Sequence, residues 1–179
     1  MYLKAWKEVY PQAEILGPQG LEKNLKDLKL DFEFTPEKLE RTFGNNEIIA
    51  HYFPGYASKE VAILHVPSKT LLNGDLAVNL PAREAFSRSD VDPVSGWKTS
   101  LFLKIFSPNN WIHNFAIWHL FSKDKAYVSA DSNSDVSAMK RDAKVVSSWD
   151  FDRLIPCHGD VMETGAKKYW VALYQRLLQ

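Results

Sequence analysis

Two short apolar runs, each ending in a glycine beside a residue that can bind metal, constrain this chain most. They are residues 71–75 (LLNGD) and 153–160 (RLIPCHGD). Each run is typical of a buried strand, and a glycine at its end lets the backbone turn sharply and lets a ligand come close. If the two strands deliver Asp75 and His158 to the same edge of one sheet, the carboxylate and the imidazole would form half of a metal site.

The composition bounds the class of protein. The chain has 179 residues, which predicts one domain over 1–179, with 22 basic and 22 acidic residues. The zero net charge argues against a nucleic-acid partner. A single cysteine, Cys157, excludes an internal disulfide and suits a reducing compartment. No signal peptide follows Met1 and no apolar run has membrane-spanning length, so we expect a soluble cytoplasmic protein without a transmembrane segment.

Periodicity and turn residues predict the order of elements. Helices are expected over 2–10, 20–30, 135–149 and 164–178, and strands over 13–18, 47–53, 60–66, 70–80 and 153–157. Because the three central strands follow each other closely, we expect them to pair antiparallel. The order favours an α/β (α+β) fold with mixed or mainly antiparallel sheets covered by helices. The strand at 13–18 needs a neighbour, so we expect a segment upstream of it to be missing.

Residues 86–125 are predicted to be a helical and loop insertion rich in aromatic side chains. Within it, residues 101–106 form a compact apolar segment, and residues 111–121 predict a helix that is apolar almost all round. This aromatic segment, residues 97–121, is interpreted first as a cap on the core of the domain. A lid over a pocket, a dimer patch and an element lying in a membrane interface remain alternatives.

The candidate site residues each allow a structural and a functional interpretation. Asp75 is either a turn residue that caps its own backbone or a metal ligand or general base. His158 is either a hydrogen-bonded structural histidine or a ligand. Asp160 lies two residues after His158, so it can share a face with it. It either orients the imidazole or caps the following segment.

The other histidines give weaker signals. His51 and His65 fall in the strand region, and His65 is expected to be buried and hydrogen-bonded. His113 and His119 are six residues apart in a predicted helix, which turns them roughly 120° away from each other. That angle argues against joint metal binding.

The single cysteine adds one further hypothesis. Cys157 precedes His158, but neighbouring strand residues point to opposite faces and cannot form a dyad. We expect Cys157 to be a small buried side chain. A thiol-dependent enzyme that uses Cys157 is the weakest hypothesis.

The motifs resemble a known family. The pattern of Pro54-Gly55-x-x-Ser58, a hairpin, LNGD over 72–75 and IPCHGD over 155–160 resembles the C-terminal half of the metallo-β-lactamase superfamily. Residues 75–84, 140–142 and 149–160 resemble an uncharacterised branch of it, a domain of unknown function described as metallo-β-lactamase-like. The resemblance covers residues 1–175. It implies an αβ/βα sandwich with a site at one edge of its sheets.

The resemblance also implies a chemistry and a ligand set. Such proteins bind one or two metal ions, commonly zinc, and a metal-bound water attacks an ester, amide, thioester or phosphoester. Asp75 matches the bridging aspartate and His158 the last histidine. Tyr56 stands where a histidine follows the Pro-Gly turn, and the chain starts downstream of the H-x-H-x-D-H loop. Two ligands are thus found where catalytic zinc usually has three.

Two functions follow as expectations. The first is a metal-dependent hydrolase of an unknown small molecule, with zinc or iron in a metal site that is incomplete in this chain. Asp160 would then be an orienting group and Tyr56 a hydrogen-bond donor to the substrate. The second is a non-catalytic binding or scaffolding module that uses the aromatic segment, for example as a homodimer lost on changing Trp111 or Trp118.

Overall fold

The computed structural model describes residues 3–24, 29–56, 58–105, 112 and 136–179. The described helices are α1 (Leu3–Val9), α2 (Trp97–Ile105), α3 (Val136–Ser148), α4 (Ala166–Leu173) and α5 (Gln175–Leu178). The strands are β1 (Leu16–Pro18), β2 (Phe32–Phe34), β3 (Glu40–Phe43), β4 (Ile48–Phe53), β5 (Glu60–His65), β6 (Thr70–Asn73) and β7 (Arg153–Pro156). Single 3-10 turns cover Leu21–Asn24 and Glu84–Phe86. Among the described helices, none is both long and apolar enough to cross a bilayer.

A five-stranded mixed sheet is the centre of the fold. Its order is β3-β4-β5-β6-β7, with β3 to β6 paired antiparallel and β7 parallel to β6. The chain leaves the sheet after β6 and returns through α3, because a parallel pair needs a crossover connection. A second sheet holds β1 and β2, also parallel. The predicted α/β class is confirmed.

The main core lies between one face of the large sheet and helices α3, α4 and α5. Along β5, Ala62 and Leu64 point to this face and are 0% and 3% exposed, as the two-residue period of a strand requires. They pack in one cluster with Met139 and Val146 of α3 and with Trp170 of α4, all fully or almost fully buried. The helices are therefore held by burial of their apolar stripes.

The opposite face of the large sheet carries a smaller core. Phe34 of β2 packs with Ala50 and Tyr52 of β4, each 2% exposed, and with partly buried side chains of β1, β3 and β5. This face is covered by the two-stranded sheet. The second layer is small compared with the helical layer.

Several expected elements differ from the structure. The strand predicted over 70–80 ends at Asn73, and the helix predicted over 20–30 is a 3-10 turn at Leu21–Asn24, with residues 25–28 outside the described part. Residues 101–105 belong to a helix, α2. The sequence interpretation missed β2 and β3, which are three and four residues long. The first strand was expected to need a neighbour from a segment upstream of it. In the structure its neighbour is β2, which follows it in the chain.

Candidate functional site

Asp75 and His158 meet just beyond the ends of two neighbouring parallel strands. The last paired residues of β6 and β7 are Asn73 and Pro156, so each candidate residue follows its strand by two positions. The His158 Nε2 lies 3.2 Å from the Asp75 Oδ1. The two side chains are 64% and 45% exposed. The shared sheet edge that the sequence analysis took as its condition is present, because β6 and β7 are parallel and end on the same side of the sheet.

Glu60 is a third ionisable group at this edge, and the sequence interpretation missed it. Its carboxylate packs against Gly74 so closely that a Cβ on Gly74 would lie 2.1 Å from Glu60 Oε2. The Ser58 hydroxyl donates a hydrogen bond to the carboxylate at 2.8 Å. Desolvation raises the pKa of Glu60 and the nearby Asp75 charge raises it further, while hydrogen bonding by Ser58 and by the backbone of Asp75 and Gly74 lowers it. Gly74 was the available signal, since glycine permits such an approach.

The backbone that carries Asp75 is pinned by side chains from several elements. Each carbonyl of residues 75–78 accepts one side-chain hydrogen bond. The bonds are Tyr56 Oη to the Asp75 carbonyl at 2.8 Å, Tyr174 Oη to Leu76 at 2.6 Å, Asn73 Nδ2 to Ala77 at 3.0 Å and Tyr169 Oη to Val78 at 2.8 Å. Because β6 ends at Asn73, these donors replace the lost ladder bonds of the strand that was predicted to continue. The position of Asp75 is thus set by the core.

Tyr56 belongs to this pinning set. Its hydroxyl proton is donated to the Asp75 carbonyl, and its ring packs against the main core. Burial raises the pKa of Tyr56, and the charges of Asp75 and Glu60 raise it further. The neutral phenol is therefore strongly favoured, which makes Tyr56 a poor metal ligand at neutral pH. Tyr56 was expected to donate a hydrogen bond to the substrate, but its hydroxyl donates to the Asp75 carbonyl instead.

The turn after His158 is fixed by Gly159. Its φ is +109°, and a Cβ there would lie 2.0 Å from the Asn79 carbonyl oxygen. The Asn79 amide donates to the His158 carbonyl at 3.2 Å, and the Asp160 amide donates to the Asn79 carbonyl at 2.8 Å. The turn therefore docks on the segment that follows Asp75, which brings the two candidate residues together.

Asp160 has a structural contact instead of the expected one. Its carboxylate accepts the amide of Glu84 at 2.8 Å, at the start of the 3-10 turn Glu84–Phe86. It caps a segment that precedes it in the chain rather than the one that follows. The orienting contact to the imidazole comes from Asp75. A role for Asp160 in orienting His158 stays a prediction that this geometry does not support.

The described residues supply only part of the ligand set of a catalytic zinc or iron centre. Within the described ranges, no group of three or more His, Cys, Asp or Glu side chains is placed to hold a metal ion. Asp75 and His158 supply two donors, and catalytic zinc usually takes three protein ligands. Cys157 is exposed rather than buried as expected, because β7 ends at Pro156 and leaves it on the following turn.

Two other histidines lie elsewhere. His51 of β4 is 3% exposed, with its Nε2 3.1 Å from Oδ1 of Asp142, which is fully buried in α3. Its Nδ1 lies 3.6 Å from Oε2 of Glu40. The signal missed in the sequence was an aspartate within the apolar stripe of a helix.

The expectation that His65 is buried was wrong: it is partly exposed, with its Nδ1 2.6 Å from the Ser68 hydroxyl. His113 and His119 lie outside the described residues.

Comparisons with known proteins identify similar solved structures. No protein-family model matches the chain, and no curated protein matches it significantly. A crystal structure of the DIM-1 metallo-β-lactamase exposed to ceftazidime is 15% identical, with a TM-score of 0.47 over 96% of this chain and 60% of that chain. A metallo-β-lactamase from Pontibacter korlensis is 17% identical, with a TM-score of 0.39 over 95% and 62%. The chain thus spans less than two thirds of the length of either neighbour.

Proposed function

We propose that this chain is a metallo-β-lactamase-like protein and that Asp75 and His158 are the part of a metal-dependent hydrolytic site that the chain supplies. The observation that carries the proposal is the 3.2 Å approach of the imidazole to the carboxylate at the ends of β6 and β7. The LNGD and IPCHGD motifs that resemble the superfamily are the segments that deliver these two side chains. The substrate is an unknown small molecule.

The role of each residue follows from its contacts. The Asp75 carboxylate accepts a proton or a cation, and it orients the His158 imidazole through Nε2. The pinned carbonyls of residues 75–78 keep Asp75 in place while His158 stays open to solvent. A metal ion would supply a water with a pKa near 7. With two donors from this chain, that chemistry requires further ligands.

A second function is favoured by the ligand shortage. A non-catalytic binding module would need no third ligand, and the described residues contain no group of three. The aromatic segment 97–121 would then carry the function as a homodimer contact. Of this segment, Trp97 and Leu101 in α2 are 73% and 52% exposed, while Trp111 and Trp118 lie outside the described residues. The zero net charge argues against nucleic acid as its partner, and the lone cysteine favours a cytoplasmic location.

Elemental analysis separates the two functions. The protein is purified without chelator or nickel resin, and zinc, iron and manganese are measured per chain. The hydrolase proposal expects about one metal ion per chain, lost in His158→Ala and Asp75→Asn. The control is His65→Ala, which removes a partly exposed imidazole bonded to Ser68 and should keep the metal. A folded wild-type protein without metal would overturn the hydrolase proposal and support the binding module.

A further inference from the structure

The chain contains an apolar cavity that lies apart from Asp75 and His158. It has a volume of about 400 Å³ and lies between α1 and the face of the large sheet that the helical layer does not cover. The sheet side of its wall is formed by Phe43, Ala50, Val61 and Ile63. These residues belong to β3, β4 and β5, whose pairing places them next to each other. One wall of the cavity is therefore formed by three paired strands of the large sheet.

The opposite wall is formed by α1, and it is not packed onto the sheet. Leu3, Trp6 and Tyr10 line the cavity at helical spacing, yet α1 contains no buried residue. The rings of Trp6 and Tyr10 stack on each other with their centroids 5.6 Å apart, and they remain 62% and 54% exposed. An amphipathic helix normally buries its apolar stripe against the core. Here the stripe lines the cavity instead.

The charged groups at this cavity are already paired within the chain. The Lys7 ammonium donates to the Ala13 carbonyl at 2.6 Å and lies 3.6 Å from the Asp31 carboxylate. The Glu14 carboxylate accepts from the Arg41 guanidinium at 2.5 Å. Among the described lining residues, no charge is therefore left uncompensated for a ligand. A charged molecule would lose its hydration without gaining a charged partner, which is unfavourable. An uncharged apolar molecule would gain free energy by leaving water.

We propose that this cavity binds one small, uncharged, apolar molecule between α1 and the sheet. Its volume falls within the range of small-molecule sites, which are concave and mostly apolar with few polar groups. Water is a poor occupant, since it needs two to four polar partners. Binding packs the apolar stripe of α1 against the ligand and so orders the helix on the sheet. The site is independent of the function proposed above.

The test uses 1-octanol as the uncharged probe and octanoate as its charged counterpart. Isothermal titration calorimetry is expected to show one octanol per chain with sub-millimolar affinity and at least about tenfold weaker binding of octanoate. Val61→Phe fills the cavity from the sheet side and should weaken octanol binding about tenfold or more. The matched control is Val66→Phe, which adds the same ring just after β5, where the residue is 39% exposed and outside the cavity lining.

A second variant keeps the test valid if Val61→Phe fails to fold. Trp6→Ala removes part of the α1 wall at a residue that is itself 62% exposed, and it should also weaken octanol binding. Its control is Trp97→Ala, an exposed tryptophan of α2. Asp75→Asn should leave octanol binding unchanged. The cavity proposal and the proposed function can therefore be contradicted independently of each other.

Two results would overturn the cavity proposal. The first is a folded wild-type chain that does not bind octanol, or that binds it equally well in Val61→Phe. The second is a dimer in sedimentation experiments that both Val61→Phe and Trp6→Ala dissociate. The occupant of the cavity would then be a second copy of the chain.

Discussion

Gly74 and Gly159 each stand where another part of the chain comes closer than a side chain would permit. At Gly74 the neighbour is the Glu60 carboxylate, and at Gly159 it is the backbone of Asn79. The two contacts differ in what can move, because a carboxylate can rotate away while a backbone carbonyl cannot. Gly159 also has a positive φ, which glycine adopts without strain. Gly159 is thus the residue that most directly fixes the approach of His158 to Asp75.

Gly159→Ala should destabilise the protein by about 3 kcal/mol, from the clash with Asn79 and the positive φ together. Urea denaturation measures this loss. The matched control is Gly165→Ala, where φ is +77° but nothing lies within 4 Å of the added Cβ. That variant should lose only about 1 kcal/mol. Equal losses in the two variants would show that the contact with Asn79 is not close.

Among the elements, the segment of residues 74–78 shows how a chain leaves a sheet while its carbonyls stay bonded. Tyr169 and Tyr174 reach it from α4 and from the residue that follows α4, and Tyr56 reaches it from the turn after β4. Burial raises the pKa of Tyr169 and raises that of Tyr174 strongly. The folded state therefore keeps the phenols of Tyr169 and Tyr174 protonated.

This gives a pH dependence with a definite sign. An unfolded tyrosine loses its proton near pH 10, while buried Tyr174 keeps it, so the unfolded state binds fewer protons above that pH. The free energy of unfolding should fall as pH rises above 10, by about 1.4 kcal/mol per pH unit for each such tyrosine. Denaturation of Tyr174→Phe across this window should show a slope smaller by about that amount. An unchanged slope would mean that Tyr174 is not buried.

The same variant has an effect at neutral pH. Tyr174→Phe leaves the Leu76 carbonyl without its donor and should cost about 1 to 3 kcal/mol. Tyr10→Phe, at a residue that is 54% exposed, is the control and should cost close to nothing.

On the scale of the whole molecule, a buried polar contact joins the helical layer to the sheet. His51 of β4 and Asp142 of α3 are 91 residues apart in sequence, and the Arg141 guanidinium also donates to Asp142 at 2.8 Å and 3.0 Å. Around them the interface is apolar, with Phe53 and Trp149 edge-on to the imidazole ring. A carboxylate in such a place is tolerated because it is paired.

Removing one partner of this contact should be costly. Asp142→Ala removes the buried acceptor that His51 and Arg141 share and should destabilise the protein by about 3 to 5 kcal/mol in urea denaturation. Asp150→Ala is the control, since that carboxylate pairs with Lys69 on the surface and its side chain is 80% exposed. The control should lose less than about 1 kcal/mol. A similar small loss in both variants would contradict the placement of Asp142 between the layers.

Much of the fold was predictable because its signals are local. The β-prone runs of β4 and β5, the apolar stripe of α3 and the apolar run of β7 are properties of residues that are close together in sequence. The short strands β2 and β3 carry too few residues to show a period. The end of β6 at Asn73 was missed because the apolar residues that follow it are buried in a segment held by tyrosines.

The sequence by itself determined the α/β class and the glycine-terminated runs that carry Asp75 and His158, because apolar runs and turn residues are properties of a few adjacent residues. Tertiary structure alone decided which side chains surround them. Glu60 reaches Gly74 through the antiparallel pairing of β5 with β6, and Asp142 reaches His51 only when α3 packs on the sheet. Such contacts join residues far apart in the chain. Their partners are chosen by the packing of whole layers, which no local spacing encodes.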